Sequence, residues 1–154
     1  MRVVIVAGSG SDAKHVSAIS AAASDLGLDV VARVASAHKT PEHALAVLRQ
    51  YDTDGVSTVF ITVAGRSNAL SAFADAAVMS PVIACPPPSD AYGGADVWSS
   101  LRLPSGVAST VVLDPGNAAL AAAKIFGLAN PAIRAAVQAA QDRGAAAVHA
   151  ADNP

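Results

Sequence analysis

The chain has 154 residues, a formal net charge of −2 and one cysteine, with 14% charged and 53% hydrophobic residues. That length suffices for one domain with a full core. The charge argues against a nucleic-acid binder relying on bulk electrostatics, and the lone Cys85 excludes a disulfide framework or a cysteine-rich zinc site.

Along the chain, residues 3–7 are an apolar run too short for a secretory segment, and they read as a buried strand. Residues 13–26 read as a helix stopped at Gly27, and 30–35 as a second strand. Pro41 opens a helix to residue 50. Residues 58–63 form the third strand, 68–77 a helix, 81–84 a short fourth strand and 107–113 the fifth. Between the last two, Cys85-Pro86-Pro87-Pro88 and Tyr92-Gly93-Gly94 read as a stiff and then a flexible loop, and Trp98 as a core or interface residue. Helices follow at 115–126 and, alanine-rich, at 131–148; residues 150–154 are expected to fray. No stretch is long and apolar enough to span a bilayer, and a cytoplasmic setting is expected.

Alternating strands and helices with continuously apolar strands predict an α/β fold, with a parallel sheet covered on both faces. Ligands of such sheets sit beyond the carboxyl ends of the strands. Three unusual sequences fall there. Gly8-Ser9-Gly10-Ser11-Asp12-Ala13 matches a dinucleotide-binding pattern, but the second strand lacks the acidic end that pattern needs. Two readings stay open for it. It is either a one-phosphate cradle with Asp12 set to accept from ribose hydroxyls, or a glycine turn with Asp12 as helix N-cap. Ser36-Ala37-His38-Lys39-Thr40-Pro41 contains a plain helix start at Thr40-Pro41, which leaves His38 and Lys39 unexplained. An imidazole moves protons near neutral pH, and an ammonium holds an anion. Gly65-Arg66-Ser67-Asn68 allows close backbone approach and polar contacts, or simply caps the next helix. His15, His43 and His149 read as ordinary helix-face residues, and no paired metal site is expected.

Together with Asp96-Val97-Trp98-Ser99-Ser100-Leu101-Arg102-Leu103-Pro104-Ser105-Gly106, these segments resemble the phosphoribosylaminoimidazole carboxylases of purine biosynthesis. The resemblance runs from about residue 3 to 128. The mutase branch of that family carries Ala-Ala-His-Leu-Pro-Gly after its glycine-rich third loop. This chain has Arg66-Ser67-Asn68-Ala69-Leu70-Ser71 and no second histidine, so it looks like the animal-type, class II branch, which uses carbon dioxide directly.

The resemblance implies a flavodoxin-like three-layer α/β/α sandwich. It implies a single domain over 1–154, with a core to about 128 and a C-terminal helix at about 131–148 used in oligomer packing. It implies a homo-oligomer, octamer or tetramer, in keeping with the sparse charge. The implied reaction is carboxylation of 5-aminoimidazole ribonucleotide at C4, without ATP, biotin or metal. His38 would be the catalytic base; Ser9, Ser11, Ser36 and Lys39 would bind phosphate, and Asp12 the ribose. Gly65, Arg66, Ser67 and Asn68 would line the carbon dioxide region. The N5-carboxylated ribonucleotide mutase and a non-catalytic nucleotide-binding homologue are the alternatives.

Overall fold

The computed structural model describes residues 1–152. Five parallel strands lie in the order β2-β1-β3-β4-β5: β1 Arg2–Ala7, β2 Asp29–Val34, β3 Thr58–Val63, β4 Val82–Ala84 and β5 Thr110–Val111. This is the flavodoxin-like order, in which the strand order reverses between β1 and β3. The central strands β1 and β3 are buried along their whole length, which is why they are runs of Val, Ile and Phe without alternation. β2 lies at an edge and is half exposed.

The two faces have separate cores. Val3, Ile5, Val59 and Ile61 pack under helices α1 (Ala13–Asp25) and α5 (Pro115–Gly127), joined by Ile133 and Val137 of α6 (Pro131–Ala151). Val4, Val6 and Phe60 pack under α2 (Pro41–Asp52) and α3 (Leu70–Ala77). Phe60 is fully buried, a contribution of roughly 1.5–3 kcal/mol. Gly27 ends α1 with φ +78°, the left-handed conformation glycine adopts without strain. Asn130 caps α6, its side chain accepting from the Ile133 amide at 3.0 Å.

At the amino ends of the strands, Arg2 is fixed from several sides. It donates to the Asp54 carboxylate (2.8 Å), the Tyr51 carbonyl (2.8 Å) and Thr58 Oγ1 (2.8 Å), and lies over the Tyr51 ring at 4.7 Å.

Some expectations are corrected. The fifth strand shrinks to two residues, because β4 offers only three and pairs with it at Ile83–Thr110 and Ala84–Val111. The stretch expected as loop coils instead. A 3-10 segment over Ala91–Val97 leads into a short helix α4, Trp98–Leu101. Tyr92, Gly93 and Gly94 stand consecutively in left-handed backbone. Trp98 is 66% exposed and lies outside the core. The last helix continues through Ala150 and Ala151, where fraying was expected; residues 153 and 154 lie outside the described residues.

Candidate active site

The carboxyl ends of β1, β2 and β3 surround a cavity of about 590 Å³ at the reversal of strand order. Each of the three unusual loops contributes to it, because parallel strands deliver all their outgoing loops to one rim.

After β1, Ser9 and Ser11 face each other with hydroxyls 2.8 Å apart, and Ser9 Oγ accepts from the Ser11 amide at 3.2 Å. This Asx-like turn opens a 3-10 turn, Gly10–Asp12, that runs straight into α1. Asp12 occupies the N-cap position of α1, yet its side chain makes no capping bond. The carboxylate stands toward the cavity, 3.4 Å from Ser11 Oγ. The helix-cap reading of Asp12 therefore fails.

After β2, Ser36 begins a turn. Its hydroxyl accepts from the Lys39 amide (3.2 Å), its carbonyl from the Thr40 amide (2.9 Å), and its own amide donates to Thr40 Oγ1 (3.0 Å). Thr40 stands at the N-cap of α2, at the helix start read from the sequence, but its side chain makes no capping bond. Its hydroxyl turns back to the Ser36 carbonyl at 3.3 Å instead, closing the turn. The result holds His38 and Lys39 out on a tight, exposed loop lining the cavity.

After β3, Gly65, Arg66 and Ser67 line the opposite wall. Arg66 has φ +55°, a strained value for a side-chain-bearing residue. Its backbone is tied down by Ser99, whose hydroxyl accepts from the Asn68 amide (2.9 Å) and shares its proton between the carbonyls of Arg66 (2.9 Å) and Asp96 (2.7 Å). Asn68 does not reach the cavity. It is 4% exposed, its Nδ2 donates to Ser100 Oγ (2.9 Å), and its Oδ1 accepts from the Ser71 amide (3.2 Å). Of the residues singled out from sequence, Ser9, Ser11, Asp12, Ser36, His38, Lys39, Gly65, Arg66 and Ser67 share one cavity, and Asn68 stands behind them.

The cavity carries three potentially cationic side chains, His38, Lys39 and Arg66, against one carboxylate, Asp12. With serine hydroxyls on two sides and a helix start below, it suits a phosphate-bearing ligand whose neutral, hydroxylated part meets Asp12. Among the described residues no three His, Cys, Asp or Glu side chains converge to hold a metal.

A second cavity of about 930 Å³ adjoins the first, sharing Ser11, Asp12, Gly65 and Pro87–Ser89 as a common wall. A Cβ on Gly65 would lie 3.4 Å from Pro87 Cγ, at the near edge of ordinary van der Waals contact. His15, read from sequence as an ordinary helix-face residue, lines this second cavity and contacts Cys85. The sequence carries no local signal for that contact, since the partners stand 70 residues apart.

Fold and site together define an α/β enzyme class: a flavodoxin-like sheet with a histidine-bearing cavity, lined by serines, Lys39 and Arg66, at its switch point. The chain belongs to the AIR carboxylase family, whose model matches residues 2–147. It is 50% identical over 152 residues to the phosphoribosylaminoimidazole carboxylase of Archaeoglobus fulgidus, covering 99% of this chain and 83% of that one. With the Treponema denticola enzyme of the same name it shares 46% over 143 residues, 93% of this chain and 90% of the other. The crystal structure of Treponema denticola PurE superposes with a TM-score of 0.96 at 44% identity, covering 98% of this chain and 96% of that one. A bifunctional carboxylase/succinocarboxamide synthetase of Mus musculus is 45% identical over 90% of this chain, which spans 32% of that protein's length. No helix among the described residues is long and apolar enough to cross a membrane.

Proposed function

We propose that this chain carboxylates 5-aminoimidazole ribonucleotide at C4 with carbon dioxide, giving the 4-carboxylated ribonucleotide of purine biosynthesis. The observation that carries the reading is the convergence of His38, Lys39, the serine hydroxyls and the Gly65–Ser67 loop on one cavity, in a chain of this family.

The phosphate sits against Ser9, Ser11, Ser36 and Lys39, and the ribose hydroxyls donate to Asp12. The base then points toward Gly65, Arg66 and Ser67, where carbon dioxide is held. C4 of the aminoimidazole is an enamine carbon. Its electron pair attacks the carbon of CO2, a C–C bond forms, and one C=O electron pair becomes the carboxylate charge. C4 now carries both its proton and the carboxylate. His38 takes that proton, the C–H electrons return to the ring, and aromaticity is restored. Carbon dioxide is itself the electrophile, so the written step balances in atoms and electrons without an activated carboxyl donor. Holding a weakly bound gas beside a fixed nucleophile is a proximity effect, with an upper limit of roughly 7–11 kcal/mol. Asn68 acts through the loop it holds, with its amide engaged inside the fold.

The chain works as one domain over residues 1–154, in the cytoplasm, and as a homo-oligomer, octamer or tetramer. Support for assembly comes from large apolar side chains left in solvent, among them Trp98 and Leu128, and from the sparse charge. The second half of α6 buries nothing in its own chain among the described residues, which suits a helix that packs on a neighbour.

The deciding experiment supplies the purified protein with aminoimidazole ribonucleotide and dissolved carbon dioxide, and in parallel with the N5-carboxylated ribonucleotide. Carboxylation from the first pair is expected. Product from the N5-carboxylated compound alone makes the chain a mutase. Nucleotide binding without product in either arm makes it a non-catalytic homologue.

A further inference from the structure

At the wall of the larger cavity lies a contact that the proposed mechanism leaves unused. His15 Nε2 stands 3.3 Å from Cys85 Sγ, joining the first turn of α1 to the carboxyl end of β4. His15 follows Asp12 by three residues, so the two side chains lie one above the other on the same side of the helix start. Both line the larger cavity, and Asp12 lines the nucleotide cavity as well. Cys85 immediately precedes Pro86–Ser89, most of which forms the wall the cavities share. Its own backbone is fixed by a hydrogen bond from its N–H to the Thr62 carbonyl at 2.8 Å.

The surroundings of the thiol favour one arrangement of hydrogens in the pair. The thiol is fully buried and donates toward the Leu113 carbonyl at 3.7 Å. Burial, with Asp114 adding to it, pushes its pKa up to about 12, so it remains S–H. With that proton directed to Leu113, the sulfur is left as an acceptor for His15 Nε2–H. The charged groups facing His15 are Asp12 from the preceding turn and Asp114 from the start of α5; Lys14 and Asp96 line the same cavity. Burial lowers the imidazole pKa, against the opposing pull of a hydrogen bond to the Cys85 backbone and of the two carboxylates. The ring is accordingly neutral near physiological pH.

We propose that His15, clasped as its neutral Nε2–H tautomer onto Cys85, is a positioning residue that sets Asp12 against the Pro86–Ser89 wall and so fixes the ribose end of the substrate. The proposal rests on the carboxylase reading of the cavity. It assigns no bond-making to His15. A shift of the α1 start relative to that wall misplaces Asp12, and displacements near 1 Å cost on the order of a hundredfold in rate.

Two measurements on the full chain test it. Histidine nitrogen–proton correlation spectra near neutral pH are expected to show His15 as the neutral Nε2–H form, with ring signals that move in Cys85→Ala. An Nδ1–H tautomer, or signals indifferent to Cys85→Ala, overturns the clasp whatever the activity. Kinetics then compare His15→Gln, which keeps a side-chain N–H donor, with His15→Leu, which does not. Gln is expected to stay within about threefold of wild-type kcat/KM while Leu falls about tenfold or more, mainly through KM for the ribonucleotide. Wild-type kcat/KM in His15→Leu overturns the proposal, as does an equal fall in both variants. Because the spectra need no turnover, a wild-type chain without carboxylase activity removes the functional reading and leaves the clasp separately decided.

Discussion

The side-chain amide of Asn68 donates to the hydroxyl of Ser100 across 32 residues, tying the loop after β3 to the short helix α4. Both groups are buried. Asn68→Ala leaves the Ser100 hydroxyl unsatisfied and removes the bond to the Ser71 amide at the start of α3. The expected loss is about 2 kcal/mol in denaturant unfolding. Ser100→Ala adds less than its separate effect when combined with Asn68→Ala, because the two act through one bond. The change leaves in place the Ser99 bonds to the Arg66 carbonyl and the Asn68 backbone amide, which use no side-chain atom of Asn68.

His38→Asn keeps a polar side chain of similar reach and removes the base. Steady-state carboxylation is expected to fall by about 10²–10⁴ while ribonucleotide binding by calorimetry stays near wild type. Near wild-type turnover would take the proton-transfer role away from His38.

Lys39→Met removes one of the cationic side chains of the nucleotide cavity without altering the Ser36 turn, which uses only the Lys39 backbone amide. Ribonucleotide affinity is expected to drop, and to depend less steeply on salt than in the wild type. Titrations at two ionic strengths read both effects.

Asp52 ends α2 and holds the segment before β4, accepting from Ser80 Oγ (2.6 Å) and from the amides of Met79 (3.1 Å) and Ser80 (3.1 Å). Burial opposes its ionisation, but the Ser80 hydroxyl and the two amides outweigh that and hold the carboxyl below its ordinary 3.8. A carboxylate depressed in the folded state contributes stability above its unfolded pKa and loses it as pH falls through the folded value. Melting curves of wild type and Asp52→Asn are therefore expected to lie apart at neutral pH and to converge below about pH 3.8.

Most of the sheet was legible because buried parallel strands are dominated by apolar residues on both faces, as β1 is after Arg2 and β3 is apart from Thr58 and Thr62. The fifth strand was overdrawn. Apolar residues around Val111 suggest a longer strand, but pairing is limited by the three residues of its neighbour β4. The 3-10 segment and α4 were missed because Gly93-Gly94 reads as a loop, whereas here successive left-handed residues connect helical turns. The polar loops were legible because nothing apolar competes with them at the rim. Asn68 was not, since its burial depends on Ser100, and His15 was not, since its partner Cys85 lies on a distant strand end.

The Arg2 network sits at the end of the sheet opposite every loop that lines the two cavities. Thermal resistance and substrate preference thus have separate addresses on this scaffold. Residues around Arg2, Tyr51 and Asp54 can be redesigned for heat tolerance with selectivity left alone, and the opposite rim can be retargeted to another ribonucleotide without weakening that anchor.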